Sequence, residues 1–167
     1  MAIFQPIFQL ILTITFILIL LHFYGPPHGY NTITSHFGPR NSPTTGKASY
    51  HYGLDIGAPT GSNIIAICSG QVTFTGFNGA NGFTVTVNNG ILSISYSHVS
   101  PTFLVYNGQY INQGEVIATV GPKNVYGVPN NPYKDSNGNP TNGSTTGPHL
   151  HLSIKKDGKA VNPLNYY

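Results

Sequence analysis

From Asn31 onwards, apolar and polar residues alternate along several segments of the chain, and no segment shows the 3.6-residue period of an amphipathic helix. A period of two is typical of β-strands that bury one face and expose the other. The segments that read as strands are 63–68, 71–75, 83–87, 91–96, 115–120 and 149–154. They predict an all-β domain over residues 31–167, an antiparallel β sandwich or open barrel with a turn about every ten residues.

One pair of predicted strands is joined by a strong turn signal. Asn89-Gly90 lies between the alternating segments 83–87 and 91–96. Asn-Gly favours a tight hairpin because both central positions of such a turn adopt positive φ. We therefore expect these two segments to pair directly.

The first 24 residues have a different character. Residues 7–24 contain no charged side chain, and extending the run back to Ala2 gives about 23 residues, enough to cross a bilayer as a helix. A buried core helix is the alternative, but it would normally carry a polar stripe. A cleaved signal peptide would begin with a basic residue and end at small residues. We therefore predict an uncleaved anchor over 1–24, a linker over 25–30 and a bilayer contact through 2–24, without an orientation.

Composition excludes several kinds of site. Only 7% of the residues are charged, and the +3 net charge rests on seven basic and four acidic residues without a basic run. A nucleic-acid partner is therefore not expected. The single Cys68 excludes an internal disulfide and a multi-cysteine zinc site, and its apolar surroundings predict an inert buried thiol. Seven histidines, by contrast, stand out among so few ionisable residues.

Two of these histidines, His149 and His151, lie two apart in an alternating strand. A period of two places both imidazoles on one face, while Leu150 and Leu152 point into the core. Two adjacent imidazoles repel each other when protonated and gain from sharing a cation, so the pair suggests a metal site. Two solvent-facing histidines on a half-buried strand are the simpler alternative.

His51 and Asp55 are four residues apart and would share a face in an extended segment, with Gly53 allowing backbone or substrate to approach closely. Two imidazoles and a carboxylate form a three-ligand zinc set that leaves a fourth position for water. His51, Asp55 and either His149 or His151 could form it. His98 and the remaining histidine would then perform acid–base work, and a protonated imidazole would stabilise an oxyanion.

The order and spacing of short motifs along residues 31–167 resemble the lysostaphin/LytM-type zinc metallopeptidases. The most specific are H-Y-G-L-D at 51–55 and T-G-P-H-L-H at 146–151. The other matching segments are 35–40, 69–72, 96–98, 108–117 and 161–164.

The resemblance implies an antiparallel β fold with the site in a groove. It implies zinc held by His51, Asp55 and His151, with His98 and His149 as the catalytic histidines. Only the resemblance selects His151 over His149 as the ligand. It also implies cleavage of peptide cross-links or stems of bacterial peptidoglycan, often at glycyl or D-alanyl bonds.

One loop departs from the family pattern. Residues 122–147 are rich in Asn, Gly, Pro, Ser and Thr, and the connection is longer than usual by roughly twenty residues. Tyr126 and Tyr133 could line the groove, or the loop could be a surface insertion. A calcium site is not expected, because no Glu closes the Asp135 segment. Arg40 has no assigned role, and Tyr96 is expected in the core.

The sequence thus predicts a membrane-anchored, single-pass zinc endopeptidase whose domain faces the cell wall, in a bacterial envelope or in the membrane of a virion. A non-catalytic peptidoglycan-binding or regulatory module is one alternative. A structural virion membrane protein with a vestigial peptidase domain is another. No oligomeric state is predicted.

Overall fold

The structure, a computed structural model, describes residues 29–166. The predicted anchor at 1–24 and most of the predicted linker at 25–30 lie outside these residues. Within 29–166, no helix has the length and apolar character needed to span a membrane.

The described chain consists of twelve short strands, with 3₁₀ turns at Gly79–Asn81 and Pro163–Asn165. The strands are β1 (Ile33–Ser35), β2 (Gly38–Asn41), β3 (Ala48–His51), β4 (Leu54–Gly57), β5 (Asn63–Ile65), β6 (Gly70–Phe77), β7 (Phe83–Asn88), β8 (Leu92–Ser97), β9 (Tyr110–Ile111), β10 (Val116–Thr119), β11 (His149–Lys156) and β12 (Lys159–Val161).

Eight strands form one antiparallel sheet in the order β1-β4-β11-β8-β7-β6-β9, with β12 paired to β11. β5 and β10 form a second, two-stranded sheet, and β2 and β3 form a third. All of these pairs are antiparallel. The prediction of an all-β antiparallel fold is confirmed. β11 lies inside the main sheet, so residues on it have neighbours on both sides.

The core lies between the main sheet and the β5–β10 pair. Alternate residues of the main strands face it, including Val85 on β7, Ile94 on β8 and Leu152 on β11, and all three are fully buried. Ile64 of β5 and Ile117 of β10 cover them from the other side. This packing confirms that the period of two marks one buried sheet face.

The predicted hairpin is present, although its turn differs from the expected one. β7 and β8 are joined directly, with Asn88 opposite Ser93. Only Gly90 adopts a positive φ, of 89°, whereas Asn89 does not. The Asn89 side chain instead accepts hydrogen bonds from the amides of Ile91 and Leu92. The turn is therefore stabilised by an Asn side chain and one glycine rather than by two residues with positive φ.

The long loop between β10 and β11 folds against itself. The Asn142 amide donates to the Lys123 carbonyl at 2.8 Å, which closes the base of the insertion. Asp135 lies inside it and accepts from the amides of Asn137 and Asn139. The Lys123 ammonium is 3.4 Å from the same carboxylate. These contacts hold the two ends and the Asp135 turn of the insertion together.

Candidate metal centre

All five predicted site residues line one open cleft of about 650 Å³. Its walls come from β1, the β2–β3 pair, β4 and the segment just before β11. Tyr126 and Tyr133 are not among the lining residues, and Tyr126 is 72% exposed. Of the two alternatives for these tyrosines, the one in which they line the groove is therefore wrong. The lining part of the long loop begins at Ser144.

The pairing of β11 with β4 brings Asp55, His149 and His151 to one face of the main sheet. His151 is paired with Asp55 on β4 and with Ser97 on β8, one residue before His98. Leu150 and Leu152 are fully buried on the opposite face. The predicted division of β11 into an imidazole face and a leucine face is thus present.

His51 reaches the same point from a different sheet. It ends β3, while Asp55 lies in β4, so the expectation of one extended segment with a shared face is wrong. The chain bends at Tyr52–Gly53, and this bend brings the two side chains together. A Cβ at Gly53 would lie 2.5 Å from Cε1 of His151 and 2.7 Å from the Leu152 carbonyl oxygen. The predicted close approach at Gly53 is made by β11.

Three donor atoms converge in the cleft. His51 Nε2 is 3.0 Å from His151 Nδ1, and both nitrogens face Asp55 Oδ1, at 3.1 Å and 2.8 Å. These atoms are close enough to bind one metal ion. His149 Nε2 lies further away, 3.6 Å from the same carboxylate oxygen.

Backbone carbonyls orient the other ring nitrogens. His51 Nδ1 donates to the His36 carbonyl at 2.8 Å, His98 Nδ1 to the Asn142 carbonyl at 2.7 Å, and His149 Nδ1 to the Gly147 carbonyl at 2.8 Å. Since a carbonyl oxygen only accepts, each Nδ1 carries the proton and each Nε2 of a neutral ring keeps its lone pair.

The donor set fits zinc. Two imidazole nitrogens and one carboxylate oxygen are typical ligands of this ion, and a set of three leaves one tetrahedral position open. The hydrogen bond from His51 to a carbonyl is the kind of outer contact that fixes the tautomer of a metal-binding histidine. The residues present therefore fit the predicted ion.

Arg40, for which the sequence suggested no role, holds the second oxygen of the Asp55 carboxylate. Its Nη1 lies 2.9 Å from Asp55 Oδ2 and also donates to Ser35 Oγ. Burial by itself would raise the pKa of Asp55, but the hydrogen bond from His151 and the adjacent His51 ring outweigh it and hold the pKa well below its usual range. The carboxylate is thus charged, with Oδ1 directed toward the histidines.

His98 and His149 are neutral bases in this arrangement. Burial, together with the neighbouring imidazoles of His149 and His151, lowers the pKa of His98 to about 3. Burial also lowers the pKa of His149, although Asp55 opposes the shift. Both rings direct an unprotonated Nε2 away from their carbonyl partners. The expectation of a protonated imidazole ready to stabilise an oxyanion has no support in the free protein.

Two other residues discussed above lie outside the site. Tyr96 is fully buried and its hydroxyl accepts a hydrogen bond from the Ile67 amide, which confirms a core position. Cys68 is only partly buried, although desolvation raises the pKa of its thiol. The prediction of a buried cysteine is therefore wrong in degree.

Several known proteins are similar in sequence to this chain. The "DD-carboxypeptidase/endopeptidase Mpg" of Neisseria meningitidis is 33% identical over 83% of this chain. The "Peptidoglycan DD-endopeptidase ShyC" of Vibrio cholerae is 31% identical over 84%. The "Murein hydrolase activator NlpD" of Salmonella typhimurium is 29% identical over 74%. The chain spans only 28% of the length of the first two proteins and 30% of the third.

Solved structures share the fold. A zinc-containing peptidase from Vibrio cholerae is 27% identical, with a TM-score of 0.62 over 80% of this chain and 36% of that chain. The catalytic domain of lysostaphin from Staphylococcus simulans has a TM-score of 0.64 over 82% of this chain and 91% of that chain, and at 24% identity it shows the fold alone. Residues 49–163 match Peptidase family M23. This chain therefore belongs to peptidase family M23.

Proposed function

We propose that this chain is a zinc-dependent endopeptidase that hydrolyses peptide bonds in bacterial peptidoglycan. The convergence of His51, Asp55 and His151 beside two neutral histidines in an open cleft supports this proposal most strongly. The names of the relatives Mpg and ShyC agree with it, since both are called endopeptidases and ShyC acts on peptidoglycan.

His51 Nε2, Asp55 Oδ1 and His151 Nδ1 would hold the ion. Zinc bound there would supply a Lewis acid that lowers the pKa of water and polarises a peptide carbonyl.

His98 and His149 lie next to each other, with ring centroids 4.7 Å apart, and each presents Nε2 as a proton acceptor. Together the two rings can accept a proton from the attacking water at Nε2 and pass it to the leaving amine. Each Nδ1–H stays on its carbonyl throughout, so the ring keeps its orientation during both transfers.

The proposed activity can be tested on purified peptidoglycan with the zinc-loaded chain. Mass spectrometry is expected to detect released fragments with new amino and carboxyl ends. A strong chelator should reduce cleavage to background, and added zinc should restore it, since apo protein lacks the Lewis acid. The fragment masses would also identify the bond. One zinc per chain without any cleavage would refute the proposal.

That last outcome would favour a second candidate, a regulatory module for other wall hydrolases. The relative NlpD carries the name of a murein hydrolase activator, so a protein related to this one has been named for regulation rather than cleavage. The same experiment with a separate wall hydrolase added would separate the two functions. A regulator would increase release by the added enzyme while releasing nothing alone.

We further propose that residues 2–24 anchor the domain in a bilayer, so that it faces the wall from a bacterial envelope or from the membrane of a virion. The support is the uncharged run of about 23 residues.

Deleting residues 2–24 is expected to abolish binding to lipid vesicles while leaving zinc content and cleavage per molecule unchanged, because the site is built from residues after 31. Co-sedimentation with vesicles measures the first effect, and the peptidoglycan assay measures the second. Vesicle binding by the shortened chain would contradict the anchor.

A further inference from the structure

Asn142 is a fully buried residue in the long loop, and its side chain contacts the two segments that flank His98 in space. Its Oδ1 accepts a hydrogen bond from the Phe83 amide at 2.8 Å, and its Nδ2 donates to the Val99 carbonyl at 2.9 Å. Its own carbonyl accepts the Nδ1–H of His98 at 2.7 Å. The Asn142 side chain is therefore held by hydrogen bonds at both its oxygen and its nitrogen, and its main-chain carbonyl is hydrogen-bonded to the His98 ring.

We propose that Asn142 is a positioning residue for His98. The amide side chain fixes the Asn142 carbonyl, this carbonyl holds the Nδ1 proton of His98, and Nε2 is thereby kept unprotonated and directed toward the cleft. The inference rests on the proposed function only for the catalytic use of His98. The positioning itself is a property of the folded chain.

The surroundings of Asn142 leave space for this side chain because two neighbouring residues are glycines. A Cβ at Gly82 would collide with the carbonyl and side-chain oxygens of Asn142. A Cβ at Gly121 would lie 2.6 Å from Asn142 Nδ2. The pocket therefore depends on glycine at both places.

The backbone of His98 is held as firmly as its ring. His98 has a φ of 59°, in the left-handed region that residues other than glycine seldom occupy. Its amide donates to the Asn81 carbonyl and its carbonyl accepts from the Gly121 amide, each at 2.9 Å. Such a conformation persists only where the surroundings enforce it. With Asn142 on the ring, both the main chain and the imidazole of His98 have fixed directions.

This arrangement also gives the long insertion a role. The Asn142 amide donates to the Lys123 carbonyl, so the residue that orients His98 also closes the base of the insertion. The insertion then contributes to the site by supporting a proton acceptor, although its tyrosines do not line the cleft.

The tautomer of His98 gives a test that needs neither zinc nor substrate. Long-range ¹H–¹⁵N spectra of the metal-free protein should show His98 with the proton on Nδ1. In Asn142→Ala we expect a mixture that includes the Nε2–H form, because the carbonyl is no longer fixed. Asn142→Asp keeps the shape of the side chain but loses the donor to Val99. If the alanine variant does not fold, the His98 tautomer in Asn142→Asp should change in the same direction.

Asn137→Ala, an exposed position in the same loop, is the matched control, and its His98 tautomer should match that of the parent protein. An unchanged His98 tautomer in a folded Asn142 variant would overturn the proposal.

Kinetics of the zinc-loaded variants provide the second readout. Acid–base catalysis contributes about 10²–10⁴-fold to a rate, so loss of its orientation should lower kcat by about tenfold or more. KM and the zinc content should stay within about twofold of the parent protein if only proton transfer is affected. A variant that loses zinc, or that changes KM alone, would contradict a positioning role. If the parent protein itself cleaves nothing, the proposed function fails, and the tautomer experiment still decides the role of Asn142.

Discussion

Replacing Asp55 with asparagine is expected to remove zinc binding and hydrolysis together. Asp55 Oδ1 is within 3.1 Å of both His51 Nε2 and His151 Nδ1, so it is the only anionic donor facing the two nitrogens in the part of the chain that the structure describes. Loss of a contact behind a metal ligand already costs about 10–100-fold in affinity, so loss of a ligand's charge should cost more. Zinc content after dialysis and a competition titration would measure this effect.

Asp157→Asn is the matched control for that experiment. Asp157 is exposed in the turn between β11 and β12, and asparagine tolerates its positive φ of 50°. This variant should keep one zinc per chain and full cleavage. An Asp55→Asn protein that binds zinc as tightly as the parent would show that the three donors are not the metal site. The proposal of a zinc-dependent activity would then lose its main support.

Replacing His98 or His149 should give a different result from replacing Asp55: zinc is retained and only turnover is lost. His149→Ala removes a ring whose Nε2 is 3.6 Å from Asp55 Oδ1, and His98→Asn removes its neighbour while tolerating the left-handed backbone at that position. We expect kcat to fall by about 10²–10⁴-fold in each case, the usual contribution of a general acid or base. Zinc analysis and turnover on the same peptidoglycan preparation measure both effects.

The double variant gives a sharper comparison. If His98 and His149 pass one proton between water and the leaving amine, removing both should cost little more than removing one, since the two act as a unit. Additive losses would show that the two rings serve separate steps. Loss of zinc from either single variant would reverse the roles assigned to ligands and catalytic residues.

Residues on regular strands were predictable because alternation carries structural information. His149 and His151 share a face, with Leu150 and Leu152 buried behind them, as a period of two requires. The same rule correctly predicted that the His51 and Asp55 side chains lie together, but its reason, one extended segment, was wrong. They lie on strands of different sheets, and a bend rather than an extended segment joins them.

The supporting residues could not be predicted in this way. The His36, Gly147 and Asn142 carbonyls orient three imidazoles, and a main-chain carbonyl belongs to every residue type. Asn142 is also 44 positions from His98 along the chain, within a loop that has no hydrophobic period. Arg40 is a partner of Asp55 only because the fold brings the two side chains together across different sheets, and a lone arginine gives no such signal.

The position of β11 inside the main sheet makes its pairing register decisive for both the core and the site. The same eight residues carry buried leucines on one face and imidazoles on the other. Shifting the pairing of β11 by a single residue would turn both histidines toward the core and both leucines away from it. No register of β11 therefore keeps only one of the two faces correct. Misaligned molecules would therefore lose their hydrophobic packing and their proposed metal ligands in one step. In the proposed zinc protein, the fraction that binds zinc would then report the fraction that is correctly folded.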